Sequence, residues 1–196
     1  MGYGKETIES HFGERKSGLS LVYSAESSPL GTGGALRSAT DLVASDAVLV
    51  MNGDSYTDAD LYRLTVQNSE SKADVTVVVA VADGRGDCGS VVVDGNGRVT
   101  SFQEKQNASQ APYLNAGIYV VSRHLLSEIP PGKEISLEHE LLPRWLRQGK
   151  CVGAFVCLNR CIDIGTPQRY FSAQSALLNI EAGPSRLEKE SQCLRS

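Results

Sequence analysis

Residues 46–55 read DAVLVMNGDS, an unbroken apolar run of strand length that closes on a glycine and an aspartate. Such a run is typical of a strand that is buried on both faces of a parallel sheet. Residues 73–83, ADVTVVVAVAD, form a second run of this kind. Helical patterns separate the apolar runs, and this alternation predicts an α/β fold whose mostly parallel sheet is covered on both faces.

Weaker patterns predict the remaining elements. We expect helices near residues 5–12, 34–44, 61–71, 137–149 and 166–180, and strands near residues 19–26, 114–122 and 151–158. Residues 89–105 alternate apolar and polar side chains across Asp94-Gly95-Asn96-Gly97, which predicts a β-hairpin. One domain is expected over residues 1–181, followed by a polar tail over residues 182–196.

Composition narrows the classes of partner. The 196 residues are 41% hydrophobic, and 19 basic against 23 acidic residues give a net charge of −4. Because no basic cluster is present, nucleic-acid polymers are not expected as partners. Residues 75–82 form the longest apolar run, which is too short to span a membrane. The five cysteines form no Cys-x-x-Cys pair, so we expect reduced thiols and a cytoplasmic protein. Homo-oligomerisation is left open.

The segment Gly31-Thr32-Gly33-Gly34 removes side chains just before a helical pattern, which indicates a close approach to the backbone. A dinucleotide fingerprint would require a third glycine where Leu36 stands. A P-loop would require a Lys-Ser/Thr pair, which is absent. The segment therefore argues against a nicotinamide-dependent enzyme and against a P-loop enzyme.

Two aspartates, Asp54 and Asp163, follow predicted strands. Either one alone is more simply explained as a turn former or a helix cap. Ligands of open α/β sheets gather beyond the carboxyl ends of the strands, where the two side chains could converge. A few carboxylate oxygens, completed by waters and phosphates, are what Mg²⁺ requires. We therefore expect a magnesium site there.

Four more polar residues lie at the ends of predicted elements. Glu104 and Lys105 close the hairpin, where an exposed ion pair would stabilise little, but where the lysine could also bind a phosphate. Asn115 fits a plain turn, and Glu138 fits a carboxylate that favours a helix N-terminus. Their shared position at element ends favours a binding site.

The motifs PLGTGGA, VLVMNGDS, FQEK, LNAGIYVVS, SLEHELLP and IDIGTP occur in the order found in sugar-1-phosphate nucleotidyltransferases. The resemblance runs from Gly2 to about Gln174 and is greatest to the D-glycero-D-manno-heptose 1-phosphate guanylyltransferases, followed by the mannose-1-phosphate guanylyltransferases. It implies a Rossmann-like three-layer α/β/α domain with a mixed, mostly parallel sheet. The implied reaction joins a nucleotide from GTP to a sugar 1-phosphate and releases diphosphate.

The resemblance also implies roles on the nucleotide side. Gly33 and Gly34 would let backbone amides approach the base and the ribose. Asp54 and Asp163 would hold Mg²⁺ against the α-phosphate. We add the inference that Glu26 accepts hydrogen bonds from the pairing edge of guanine.

On the sugar side, the resemblance implies that Lys105 binds the phosphate and that Glu104, Asn115 and Glu138 bind the hydroxyls. No general base is expected, since a sugar phosphate with a second pKa near ~6 is already ionised at neutral pH. A catalytic histidine is therefore not required.

Two departures from the family pattern bear on these expectations. Cys88 stands where many relatives have tyrosine. The family's first strand and its glycine-rich loop, which carries an arginine, do not precede Gly2. We therefore expect an N-terminally incomplete domain that cannot catalyse the reaction alone. The alternative is a non-catalytic regulatory or binding subunit, although the retained Asp54, Lys105 and Asp163 favour an enzyme.

Overall fold

The computed structural model describes residues 4–81, 89–103, 112–158 and 161–181. Its helices are α1 (Lys5–Phe12), α2 (Gly31–Ser38), α3 (Leu61–Ser71), α4 (Arg123–Ser127), α5 (Leu142–Arg147) and α6 (Pro167–Glu181), with a 3₁₀ turn at Thr40–Leu42 and a π-helical turn at Leu137–Leu141. Its strands are β1 (Arg15–Lys16), β2 (Leu19–Ser20), β3 (Ala47–Met51), β4 (Ser55–Thr57), β5 (Val75–Val81), β6 (Ser90–Val93), β7 (Val99–Gln103), β8 (Tyr113–Ser122), β9 (Val152–Cys157) and β10 (Cys161–Asp163).

The central sheet is mixed. Its strand order is β7-β6-β8-β5-β9, and β3 pairs with β8 as well. The mixed sheet with flanking helices confirms the predicted α/β class, but the expected parallel majority is wrong for the described strands. Among them, β5 and β9 are the parallel pair, and the other pairings are antiparallel. The cause is β8, which runs antiparallel to its three neighbours β3, β5 and β6.

Helices cover both faces of this sheet. On one face, alternate valines of β5 pack with Leu36 of α2 and Trp145 of α5. On the other face, Val78 packs with Leu64 of α3. β5 is therefore buried on both faces, as its apolar run predicts. The same prediction is wrong for β3, where Leu49 is 36% exposed and Met51 is 45% exposed.

Several boundaries differ from the predicted ones. Residues 19–26 were expected to form one strand, but only Leu19–Ser20 pair, as the second strand of a short hairpin. The helix expected from about residue 34 begins at Gly31, so the glycines form its first turn. β1, β4, α4 and β10 had no predicted counterpart. β4 and β10 pair with each other in a small antiparallel sheet.

The predictions of α1, α3 and the β6–β7 hairpin are confirmed. α1, α3 and the β6–β7 hairpin lie where the sequence patterns place them. In the hairpin turn, the Asp94 carboxylate accepts hydrogen bonds from the amides of Asn96 and Arg98, both at 2.9 Å.

Cys151 and Cys157 are free thiols. No helix within the described ranges has the length and apolar character needed to cross a membrane. The expected tail over residues 182–196 lies outside the described residues.

Candidate functional site

Glu138 is the centre of a hydrogen-bonded network. Its Oε1 atom accepts a hydrogen bond from the hydroxyl of Tyr119 at 3.2 Å. Its Oε2 atom accepts one from Thr32 at 2.7 Å and one from Ser136 at 3.2 Å. These donors lie on α2, on β8 and just before the π-helical turn. The carboxylate therefore joins three segments that are distant in sequence.

The π-helical turn sets the position of Glu138. Ser136 caps the turn, because its side-chain oxygen accepts a hydrogen bond from the His139 amide at 3.1 Å. The Ser136 amide in turn donates to Glu140 Oε1 at 2.9 Å, as in a capping box lengthened by one residue. Leu141 donates to the Ser136 carbonyl, five residues back, at 3.1 Å. Such π turns are frequent at functional sites.

Asn115 joins this network through a bulge in β8. Opposite β5, Tyr119 pairs with Val77 whereas Asn115 pairs with Val79, so the bulge adds two residues to β8. Gly117 lies in this bulge with φ +71°, a backbone conformation that L side chains rarely adopt. The bulge shortens the separation between residues 115 and 119. As a result, the Asn115 amide nitrogen donates to the Tyr119 hydroxyl at 2.7 Å.

Tyr119 is the fully buried member of the network. Its side chain is 0% exposed, whereas Asn115 and Glu138 are half-buried. Burial, followed by the negative charge of Glu138, raises the pKa of Tyr119 far above the usual value, and the hydrogen bond from Asn115 opposes this shift. Tyr119 therefore stays protonated at physiological pH and acts as a hydrogen-bond donor to the carboxylate.

The glycines of α2 pack closely against the chain itself, and their predicted role toward the base and the ribose stays a prediction. The amides of Gly33 and Gly34 donate to the Ile135 carbonyl at 2.8 and 3.3 Å. A Cβ at Gly33 would lie 2.5 Å from Cδ1 of Leu141, and a Cβ at Gly34 would overlap the Lys133 carbonyl oxygen. The bare backbone is required by residues 133–135, which pack against it.

Glu26 lies before α2, half-buried. Its carboxylate accepts a hydrogen bond from the Leu30 amide at 3.2 Å. This contact places Glu26 at the start of α2, next to the glycines. Its predicted role toward guanine stays a prediction.

The two aspartates come together through β4 and β10. Asp163 pairs with Ser55 in the antiparallel register, and the Ile164 amide donates to the Asp54 carbonyl at 2.9 Å. The backbones of Asp54 and Asp163 therefore lie side by side. The Asp54 side chain is exposed, and for Asp163 the description covers the backbone. No group of three or more acidic, histidine or cysteine side chains suited to a metal occurs among the described residues.

Glu104 and Lys105, predicted to bind the sugar hydroxyls and the phosphate, lie outside the described residues. Sequence reasoning missed Thr32, Tyr119 and Ser136. Thr32 was visible only as the one polar residue between the glycines, and Tyr119 only as a tyrosine within an apolar strand. Neither pattern indicates that both hydroxyls are directed at the same carboxylate.

A family model described as nucleotidyl transferase matches residues 2–180. The chain belongs to this family. It is similar to mannose-1-phosphate guanylyltransferase of Mycobacterium tuberculosis, with 35% identity over 179 residues that cover 90% of this chain and 50% of the relative. It is also similar to D-glycero-alpha-D-manno-heptose 1-phosphate guanylyltransferase of Aneurinibacillus thermoaerophilus, with 33% identity over 90% of this chain and 75% of the relative.

Solved structures of nucleotidyl transferases share the fold. The crystal structure of HddC from Yersinia pseudotuberculosis superposes with a TM-score of 0.78 at 26% identity, covering 90% of this chain and 76% of that one. The same protein was also solved in complex with GMP-PN. The chain thus spans about half the length of the mycobacterial relative and about three quarters of the HddC chain. These likenesses confirm the Rossmann-like α/β fold and the family expected from the motifs.

Proposed function

We propose that the chain transfers a guanylyl group from GTP to a sugar 1-phosphate of the mannose or heptose type and releases diphosphate. The relatives that carry 33–35% identity are named for these two activities. The observation that carries the proposal is the bond between Thr32 and Glu138. It joins the glycine motif, which the resemblance assigns to the nucleotide, to the carboxylate assigned to the sugar.

Asn115 and Glu138 supply the chemistry for holding a sugar. Both are half-buried and joined through Tyr119. An amide and a carboxylate side by side offer a donor and an acceptor, and a sugar hydroxyl can use both. In the proposal, Lys105 binds the phosphate of the sugar and Glu104 binds a further hydroxyl.

Asp54 and Asp163 fit a magnesium ion by their chemistry and by the neighbouring positions of their backbones. Hard carboxylate oxygens are the ligands that Mg²⁺ prefers, with waters and phosphates completing its coordination. In the proposal these two residues hold the ion, which when bound would neutralise charge on the α-phosphate.

The reaction forms a bond between a phosphate oxygen of the sugar 1-phosphate and the α-phosphorus of GTP. The bond from that phosphorus to the bridging oxygen breaks, and diphosphate leaves with its electron pair. No proton has to be removed, because the attacking phosphate has a second pKa near ~6. Tyr119 is excluded as a base by its raised pKa. The chain's task is therefore to place two anions in line and to neutralise their charge.

We assign this activity to the cytoplasm as part of the same proposal. The substrates are a nucleoside triphosphate and a sugar phosphate, and Cys151 and Cys157 are free thiols, as expected of a reducing compartment.

The test is formation of GDP-sugar. The purified chain is incubated with GTP, Mg²⁺ and mannose 1-phosphate or D-glycero-D-manno-heptose 1-phosphate, and diphosphate and GDP-sugar are measured. A version preceded by the N-terminal segment of the Aneurinibacillus relative is assayed in parallel, so that the result does not depend on where the chain begins. We expect product only when both substrates are present. Folded protein that forms no GDP-sugar in either version would instead support a non-catalytic subunit.

A further inference from the structure

We propose that Tyr119 is a positioning residue that fixes the relative orientation of Asn115 and Glu138 for binding a sugar hydroxyl. This inference rests on the proposed function, which assigns the sugar to those two side chains. Tyr119 is fully buried, so it acts on a ligand only through its neighbours. Its hydroxyl lies between them, at 2.7 Å from the Asn115 nitrogen and 3.2 Å from Glu138 Oε1.

The direction of each hydrogen bond follows from the donors available. The Tyr119 hydroxyl has one proton, and a carboxylate can only accept, so the proton is donated to Glu138. The same hydroxyl then accepts from the Asn115 amide nitrogen. The oxygen of the Asn115 side chain, Oδ1, accepts a hydrogen bond from the backbone amide of Gly117 at 3.1 Å. Both ends of the Asn115 side chain are thus fixed, and the amide cannot rotate by half a turn without losing both bonds.

This arrangement leaves a defined donor and acceptor for a ligand. The Asn115 nitrogen carries two protons, and within the described part of the chain one of them is used by Tyr119. Glu138 Oε2 already accepts from Thr32 and Ser136, whereas Oε1 accepts from Tyr119. Each carboxylate oxygen has about two lone-pair positions. Among the contacts of the described residues, the second Asn115 proton and the second lone pair of Oε1 therefore remain for a sugar hydroxyl.

The experiment removes the Tyr119 oxygen and keeps the ring. The unchanged chain and Tyr119→Phe are titrated calorimetrically with mannose 1-phosphate, with D-glycero-D-manno-heptose 1-phosphate and with GTP. We expect about tenfold weaker binding of the sugar 1-phosphate, since one bond to a charged group is lost, and unchanged binding of GTP. Tyr62→Phe is the matched control, because Tyr62 is 77% exposed on α3, and it should bind both ligands normally.

A second pair of variants tests the network at its other end. Thr32→Val removes the donor to Glu138 Oε2, and Thr32→Ser retains a hydroxyl. We expect the selective loss of sugar binding in Thr32→Val and its recovery in Thr32→Ser. Thermal unfolding of all variants is measured alongside.

Three outcomes would contradict the inference. Normal sugar binding by Tyr119→Phe would overturn the positioning role, and so would an equal loss for sugar 1-phosphate and GTP, which indicates general damage to the fold. If the unchanged chain binds GTP but no sugar 1-phosphate, the proposed function fails, and the role of Tyr119 toward a sugar fails with it. If the unchanged chain binds sugar 1-phosphate, and Tyr119→Phe and Thr32→Val lose this binding while Tyr62→Phe and Thr32→Ser keep it, both the inference and the proposed function are supported.

Discussion

The variant Gly34→Ala separates two explanations for the glycine segment of α2. If the glycines are bare because a ligand approaches them, an added methyl group should weaken nucleotide binding and leave stability unchanged. If they are bare because residues 133–135 pack against them, the methyl group should destabilise the chain even without a ligand. The structure supports the second explanation, since the Lys133 carbonyl oxygen lies so close to the position of the added Cβ that the two atoms would overlap.

The size of the effect follows from two opposing contributions. Alanine is about 1 kcal/mol better than glycine inside a helix. Against this gain, the Cβ would overlap the Lys133 carbonyl and lie 3.0 Å from the Leu30 Cβ. A backbone carbonyl cannot rotate away, so we take the upper part of the overpacking range, about 3 kcal/mol. The net loss is about 2 kcal/mol, which lowers the unfolding temperature by about 4–8 °C in a chain of this size.

Thermal and urea unfolding without ligand measure this loss. Gly95→Ala is the control, since a Cβ at Gly95 meets nothing within 4 Å and its φ is not positive. We expect it to remain within about 0.5 kcal/mol of the unchanged chain. Gly33→Ala should fall between the two, because its closest neighbour is the movable end of the Leu141 side chain. If Gly34→Ala has the same unfolding temperature and free energy of unfolding as Gly95→Ala and yet binds GTP poorly, the packing explanation is refuted.

Three further predictions concern the chemistry and the hairpin. In the version preceded by the N-terminal segment of the Aneurinibacillus relative, Asp54→Asn should lower turnover at least ~100-fold, because charge stabilisation by a metal contributes several kcal/mol; circular dichroism should show an intact fold. Lys105→Ala should weaken binding of sugar 1-phosphate far more than of GTP in calorimetric titrations; equal losses would place Lys105 elsewhere. The amides of Asn96 and Arg98 hold the pKa of Asp94 below its usual value. The stabilisation of the turn is therefore complete above about pH 4 and is lost as pH falls through the lowered pKa, which NMR shifts of both amides should show.

The sequence was a good guide to elements and a poor guide to their pairing. The β-branched run of β5 is apolar on both faces, which by itself predicts a buried strand. The turn at residues 94–97 has a sequence that fits only a hairpin. The direction of a strand relative to its neighbours is not determined by its local sequence in this way. An apolar run such as β8 is equally suited to a parallel or an antiparallel neighbour, so alternation with helices predicted a parallel majority that the described strands do not have.

For the candidate site, the sequence identified polar residues but not the contacts among them. Asn115 and Glu138 were found because they lie at element ends. Tyr119 was not found, since in a regular strand four residues span about 13 Å, too far for a hydrogen bond between the side chains of residues 115 and 119. The bulge at Gly117 removes that separation. Only the paired register reveals such a bulge, which makes this part of the site inaccessible to pattern reasoning.

The backbones of Asp54 and Asp163 lie side by side for a different reason from the expected one. We expected the two residues to meet because the carboxyl ends of parallel strands share one edge. In the structure they meet because β4 and β10, both missed in the sequence, pair antiparallel and set Asp163 opposite Ser55. Paired Cα atoms on antiparallel neighbours are about 4.5–5.5 Å apart, so this small sheet, rather than the central one, places Asp163 next to Ser55, the residue that follows Asp54. A change that breaks the β4–β10 pairing should therefore separate the proposed metal ligands while the central sheet stays folded.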